Sequence, residues 1–124
     1  MADEIILTIP REPDFHRVAH LVLGGLAVRL DLTIENLEDL QIALDSVLDR
    51  VEHHERAGEI TVRMALRDGA LETRVGPLTR DTLNEIEREQ GQGLSLRRVL
   101  ESTVEDVHVD GDWVRLTKKV VRRG

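Results

Sequence analysis

The sequence predicts an α+β fold, a two-layer sandwich in which a mainly antiparallel sheet of about five strands carries helices on one face. Three observations predict it. Two pairs of alternating apolar and polar segments are each joined through Asp-Gly, at Asp68-Gly69 and Asp110-Gly111, the turn chemistry of hairpins. Two long segments ahead of the first hairpin repeat apolar residues every three to four positions, the period of amphipathic helices. Two further short helical stretches separate the hairpins. A sheet and helices with one apolar face each bury those faces against one another, which gives two layers.

Ile5 to Ile9 reads as the first strand, and Pro10 with Pro13 marks the break before a helix whose first turn carries Glu12 and Asp14. From Phe15 to about Leu30 the apolar set is Phe15, Val18, Ala19, Val22, Leu26 and Leu30, with Gly24-Gly25 as the weak point. Asp31-Leu32-Thr33 supplies a turn and an N-cap at Thr33. Leu37, Leu40, Leu44, Val47, Leu48 and Val51 then mark one face of a second helix reaching about Arg56, closed by Gly58. Glu59 to Arg67 and Ala70 to Val75 are the first hairpin. Leu78 to Gln90 is polar, with Leu83 and Ile86 as apolar contacts, and predicts a short, loosely held helix. After the joint Gly91-Gln92-Gly93, a helix from Leu94 to about Ser102 leads into the second hairpin, Val104 to Val109 and Trp113 to Val121.

A chain of 124 residues suits one domain, 1–124. Area scaling buries roughly two-thirds of its extended surface, enough for a core without staples. With no cysteine, disulfides, thiolate metal sites and a cysteine nucleophile are excluded. Acids at positions 3 and 4 stand where a secretory signal carries bases, and no run approaches the ~20 apolar residues of a membrane span. The expectation is a soluble bacterial protein of the cytoplasm, with no membrane partner. Residues 1–113 hold 24 acids and 12 bases, a body that repels nucleic acid, while Val114 to Gly124 holds five bases and no acid. Lys118, Lys119, Arg122 and Arg123 read as a solvated tail. The only aromatics, Phe15 and Trp113, give no series of stacking platforms, so no nucleic-acid partner is expected. His53 and His54 lie about 100° apart on a helix and cannot chelate one metal, and His16, His20 and His108 are isolated in sequence, so no metal site is expected.

Three stretches carry a resemblance: Phe15-His16-Arg17-Val18, the run Leu37-Glu38-Asp39-Leu40-Gln41-Ile42-Ala43-Leu44, and Gly91-Gln92-Gly93-Leu94-Ser95-Leu96-Arg97. In that order, with these strands between them, they resemble the anti-sigma-factor serine kinases, which have the histidine-kinase-like ATPase (Bergerat, or GHKL) fold. The resemblance implies a Glu and, four residues on, an Asn projecting from the second helix, one as base and the other as a Mg²⁺ ligand, since i and i+4 share a helix face. Continuing from Leu37–Leu44, those positions fall on Ser46 and Arg50. A serine is not a base unaided, and a guanidinium has no lone pair for Mg²⁺. A one-residue slip offers Asp45 and Asp49 instead; the bland reading of these is two solvated aspartates beside Arg50 and Gln41.

The resemblance also implies an Asp-x-Gly after the third strand to hold adenine. Here Arg74-Val75-Gly76-Pro77-Leu78 has no acid between Glu72 and Asp81. Gly91, Gly93 and Leu94 remain as a nucleotide-binding remnant, able to aim backbone N–H groups at a phosphate or to serve as a plain joint. The sequence therefore reads as a degenerate member of the family, a pseudokinase that regulates transcription by binding, with no cofactor. By resemblance its partners are a sigma factor, a STAS-domain anti-anti-sigma protein, or a second copy in a homodimer. Arg17 matches the family's partner-facing arginine on helix one. The alternative is an active serine/threonine kinase using ATP, Mg²⁺, Asp45 and Asp49.

Overall fold

A computed structural model describes residues 4–54, 58–87 and 96–120, without the side chains of 52–54. The predicted α+β sandwich is what it shows. Strands β1 (Glu4–Pro10), β2 (Glu59–Arg67), β3 (Ala70–Gly76), β4 (Asp106–Asp110) and β5 (Trp113–Lys119) form one sheet in the order β1-β2-β3-β5-β4. Every pairing is antiparallel. Pro10 is tolerated in β1 because β1 is an edge strand, where a missing N–H breaks no ladder. Asp68 and Gly69 both take positive φ, 51° and 77°, the primed turn that their identities predict. The second hairpin turns one residue later than expected: Asp110 pairs with Trp113, so the loop is Gly111-Asp112.

Helices α1 (His16–Leu30), α2 (Ile34–His54), α3 (Arg80–Glu87) and α4 (Leu96–Thr103) complete the chain, with a 3₁₀ turn at Pro13–Phe15. The Thr33 hydroxyl accepts the Asn36 N–H at 3.1 Å, the N-cap of α2. Leu40, Ala43, Leu44, Val47, Leu48 and Val51 are all buried, and α2 touches α1, α3 and α4. The expected α2 stripe is thus the core stripe. α1 differs. Its buried residues are Ala19, Leu23, Leu26, Ala27 and Leu30, while Val18 is exposed and Val22 only half-buried. Apolar residues surround this helix, so spacing alone does not choose its inner face; Leu21 and Val28 remain 76% and 80% exposed. α1 runs unbroken through Gly24 and Gly25.

Two further expectations are corrected. α3 is not loosely held: Thr82, Leu83 and Ile86 are fully buried, Thr79 caps it through the Thr82 N–H at 3.3 Å, and Arg97 of α4 donates to the Ile86 carbonyl at 3.2 Å. Lys118 does not belong to a solvated tail. It lies in β5 at 8% exposure, and its ammonium reaches Asp39 of α2 at 3.0 Å and Glu105 at 3.5 Å. Alternation on a strand turns that position inward, where a lysine is stable only when paired. Arg122 and Arg123 lie outside the described residues.

The strands send Ile9, Ile60, Val62, Met64, Leu71, Val75, Val114 and Leu116 toward the helices. The opposite face carries polar rows. In one, Ile6, Arg63, Arg74, Arg115 and His108 are consecutive cross-strand partners. In the next, Glu4, Ala65, Glu72, Thr117 and Asp106 are. Glu4 pairs with Arg63 at 2.7 Å, Glu72 with Arg74 at 3.4 Å and Asp106 with Arg115 at 3.8 Å. On this face the Trp113 indole lies on Gly76, so close that a Cβ there would come within 2.7 Å of Trp113 Cγ.

Gly76→Ala is therefore expected to destabilise by about 1–3 kcal/mol, the range for overpacking, read as a lower urea midpoint by Trp113 fluorescence. Glu4 gives a pH test. The hydrogen bond from Arg63, with the charges of Arg63, Arg67 and Arg74, holds its carboxyl below the usual value despite some desolvation. A carboxyl with a depressed folded pKa adds stability above its unfolded value and loses it as pH falls through the folded one. Glu4→Gln should therefore unfold at lower urea than the parent at pH 7, and the gap should close as the pH falls through the depressed pKa of Glu4.

Candidate functional site

Helix α2 presents its family positions on two different faces, because adjacent residues lie about 100° apart. Ser46 is half-buried, and its hydroxyl donates to the Ile42 carbonyl one turn back at 2.7 Å. Arg50 points to α3, 3.7 Å from Glu85. The place the resemblance assigns to a Mg²⁺ ligand thus holds a cation already facing a carboxylate. Among these groups no base stands on the Ser46 side of the helix.

Asp45 and Asp49 turn toward α1. His20 Nε2 lies 2.6 Å from Asp45 Oδ1, off the alignment of a hydrogen bond, and His16 Nδ1 lies 3.9 Å from Asp49 Oδ1. The two aspartates stay solvated, with side chains 43% and 73% exposed, but their ion-pair neighbours are histidines, while Arg50 faces Glu85. They face histidines that were isolated in sequence and are neighbours in space. The signal was present: His16/His20 and Asp45/Asp49 are both i, i+4 pairs, and a short turn at 31–33 makes the two helices antiparallel neighbours. No group of three or more metal-ligating side chains comes together among the described residues.

Arg17 is exposed at the same place. With Pro13, His16, His20, Asp45 and Asp49 it lines an open cleft of about 300 Å³ between α1 and α2. No ion pair joins it to Asp14 or to another described side chain. The structure thus gathers Arg17, Asp45 and Asp49 into one surface and sets Ser46 and Arg50 apart from it. Gly91, Gly93 and Leu94 lie outside the described residues.

A two-layer sandwich with these helices over one sheet face is a fold that this chain shares with a solved RsbW domain. The crystal structure of the RsbU and RsbW domains of a Mycobacterium tuberculosis protein aligns with a TM-score of 0.73 at 15% identity, over 97% of this chain and 32% of that one, a likeness of fold. By sequence the chain is 31% identical to the serine-protein kinase RsbW of Listeria monocytogenes over 140 residues, covering 97% of this chain and 89% of the relative. It is 29% identical to that of Bacillus velezensis over 136 residues, covering 94% and 85%. The chain belongs to the RsbW serine-protein kinase family, as its motifs led one to expect. No family model matches it. The span matched in the Listeria relative, 140 residues, exceeds the 124 of this whole chain, so that relative carries segments absent here.

Because Arg17 lies off the buried face of α1, Arg17→Glu is expected to change stability by no more than about 0.5 kcal/mol, as judged by thermal melting. Leu23→Ala, on the buried face, is expected to cost about 2–5 kcal/mol in the same assay.

Proposed function

We propose that this chain is a protein-binding regulator that has kept the RsbW scaffold without its ATP chemistry. It holds a sigma factor or a STAS-domain anti-anti-sigma protein at the α1–α2 face. The observation that carries this reading is the exposed Arg17 at the rim of the cleft, with no described side chain as its partner. A planar five-donor fork on a rigid helix suits a carboxylate on another protein. In support of lost chemistry, Ser46 offers no base and Arg50 faces Glu85 where a metal ligand would be required. The partner-bound form is read as a homodimer in the cytoplasm; no helix among the described residues is long and apolar enough to cross a membrane.

A second reading, an active serine/threonine kinase using Asp45 and Asp49, draws on their shared face and open cleft. Against it, both carboxylates lie beside histidines of α1 and on a different side of α2 from Arg50 and α3.

Melting the protein with and without millimolar Mg-ATP separates the two. A ligand at 100 times its Kd stabilises by about 2.7 kcal/mol, a rise of several degrees for a domain of this size. The binding reading expects no rise beyond that caused by Mg²⁺ alone. In a pull-down from the native cell extract, Arg17→Glu is expected to lose the partner that the parent protein retains, because it sets like charge against the partner's carboxylate. Full retention by a folded variant overturns the α1–α2 docking face.

A further inference from the structure

The solvent face of the sheet holds an arrangement that the RsbW reading does not use. Arg63, Arg74 and Arg115 are direct cross-strand partners, with His108 next in the row. Like charges placed opposite one another oppose folding. The acidic row of Glu4, Glu72 and Asp106 offsets them from one side only. Arg63 Nε is buried with no hydrogen-bond partner. On the other side of the row lies an open depression of about 240 Å³, lined by the three arginines, Trp113 and Asp110. One face of the indole lies on Gly76, which positions the ring as a fixed wall.

We propose that this depression binds a small phosphate ester carrying a flat, amino-bearing ring, of the size of a nucleoside monophosphate. Guanidinium forks match phosphate oxygens two at a time, and three in one row supply the anionic end of the site. Trp113 supplies a stacking surface for the ring. Asp110 beside it accepts an N–H from an amino-bearing ring, while Glu4, Glu72 and Asp106 behind the arginines repel a longer phosphate chain, so the site takes a monophosphate and not Mg-ATP: phosphate at the arginines, donor-bearing ring at Trp113 and Asp110. A nucleic acid strand does not fit the same chemistry, because the chain's net charge of −7 repels a polyanion that extends past the arginines.

Trp113 is the only tryptophan and the chain has no tyrosine, so intrinsic emission reports this wall directly. The test is a fluorescence titration of the full chain with adenosine 5′-monophosphate at constant ionic strength, with inorganic phosphate and adenosine as separate arms. A saturable change with the monophosphate is expected, at a lower midpoint than with either half alone. Arg74→Gln and, independently, Arg115→Gln are each expected to raise that midpoint about tenfold or more. Each should change the melting temperature of the free protein only slightly, since the loss of one exposed ion pair is offset by relief of like-charge opposition. Arg80→Gln, exposed at the start of α3 on the other layer, should leave the midpoint unchanged. The absence of any saturable change overturns the site, as does a change that persists in both arginine variants. Equal midpoints for phosphate and the monophosphate overturn the ring half. A shift in sedimenting mass with Arg74→Gln would make this face a contact between copies instead.

Discussion

Each of the five strands turns every second side chain into one core, and nearly everything else in the molecule follows from that alternation. Isoleucine, valine, leucine and methionine from β1, β2, β3 and β5 meet the helices on one side. A slip of one residue in any strand would exchange that layer with the arginine and glutamate rows behind it. The helices are constrained by the same sheet. Among its described side chains α2 buries six, four of them in the two turns from Leu44 to Val51, and its remaining faces carry polar groups. Those faces then differ in kind. The one toward α3 holds Arg50, and the one toward α1 holds Asp45 and Asp49.

Two charged positions among the described residues break the inside–outside rule, and they show how strictly it is kept. Lys118 points inward and is tied to Asp39 and Glu105, which joins β5 to α2 and to the loop ahead of β4. Arg11, at 5% exposure, donates from Nη2 to the Pro77 carbonyl at 2.7 Å, while its own backbone N–H reaches the Gly58 carbonyl at 3.0 Å. It thereby gathers the end of β1, the approach to β2 and the exit from β3. The guanidinium is only partly satisfied: Nη2 has its acceptor, while Nη1 is buried without a hydrogen-bond partner.

Most of the architecture was legible in the sequence because turn chemistry and periodicity act locally. Asp68-Gly69, the Thr33 cap and the α2 stripe each specify their element without help from distant residues. α1 was harder to read: apolar side chains surround it, so its inward face depends on the packing partner, and Leu23 and Ala27 were missed. α3 looked weak because its composition is polar, yet two apolar residues and one threonine suffice when all three are fully buried. The site followed the same division. Ser46 and Arg50 could be placed by counting along one helix. The meeting of His16 with Asp49, and of Arg63 with Arg74 and Arg115, depends on antiparallel pairing between separate elements, and counting along one element does not reveal it.

The strand order has a consequence for the way the molecule is assembled. β5 follows β4 in sequence but lies between β3 and β4 in the sheet, so the last strand along the described chain is an interior one. During synthesis, β1, β2 and β3 can pair as soon as they emerge, whereas β4 has no partner until β5 joins it to β3. A ribosome that stalls before Trp113 therefore releases an incomplete layer with β3 as an open edge, rather than a protein that lacks only its rim. For a domain of 124 residues, that makes the last strand of the sheet a checkpoint for the whole fold.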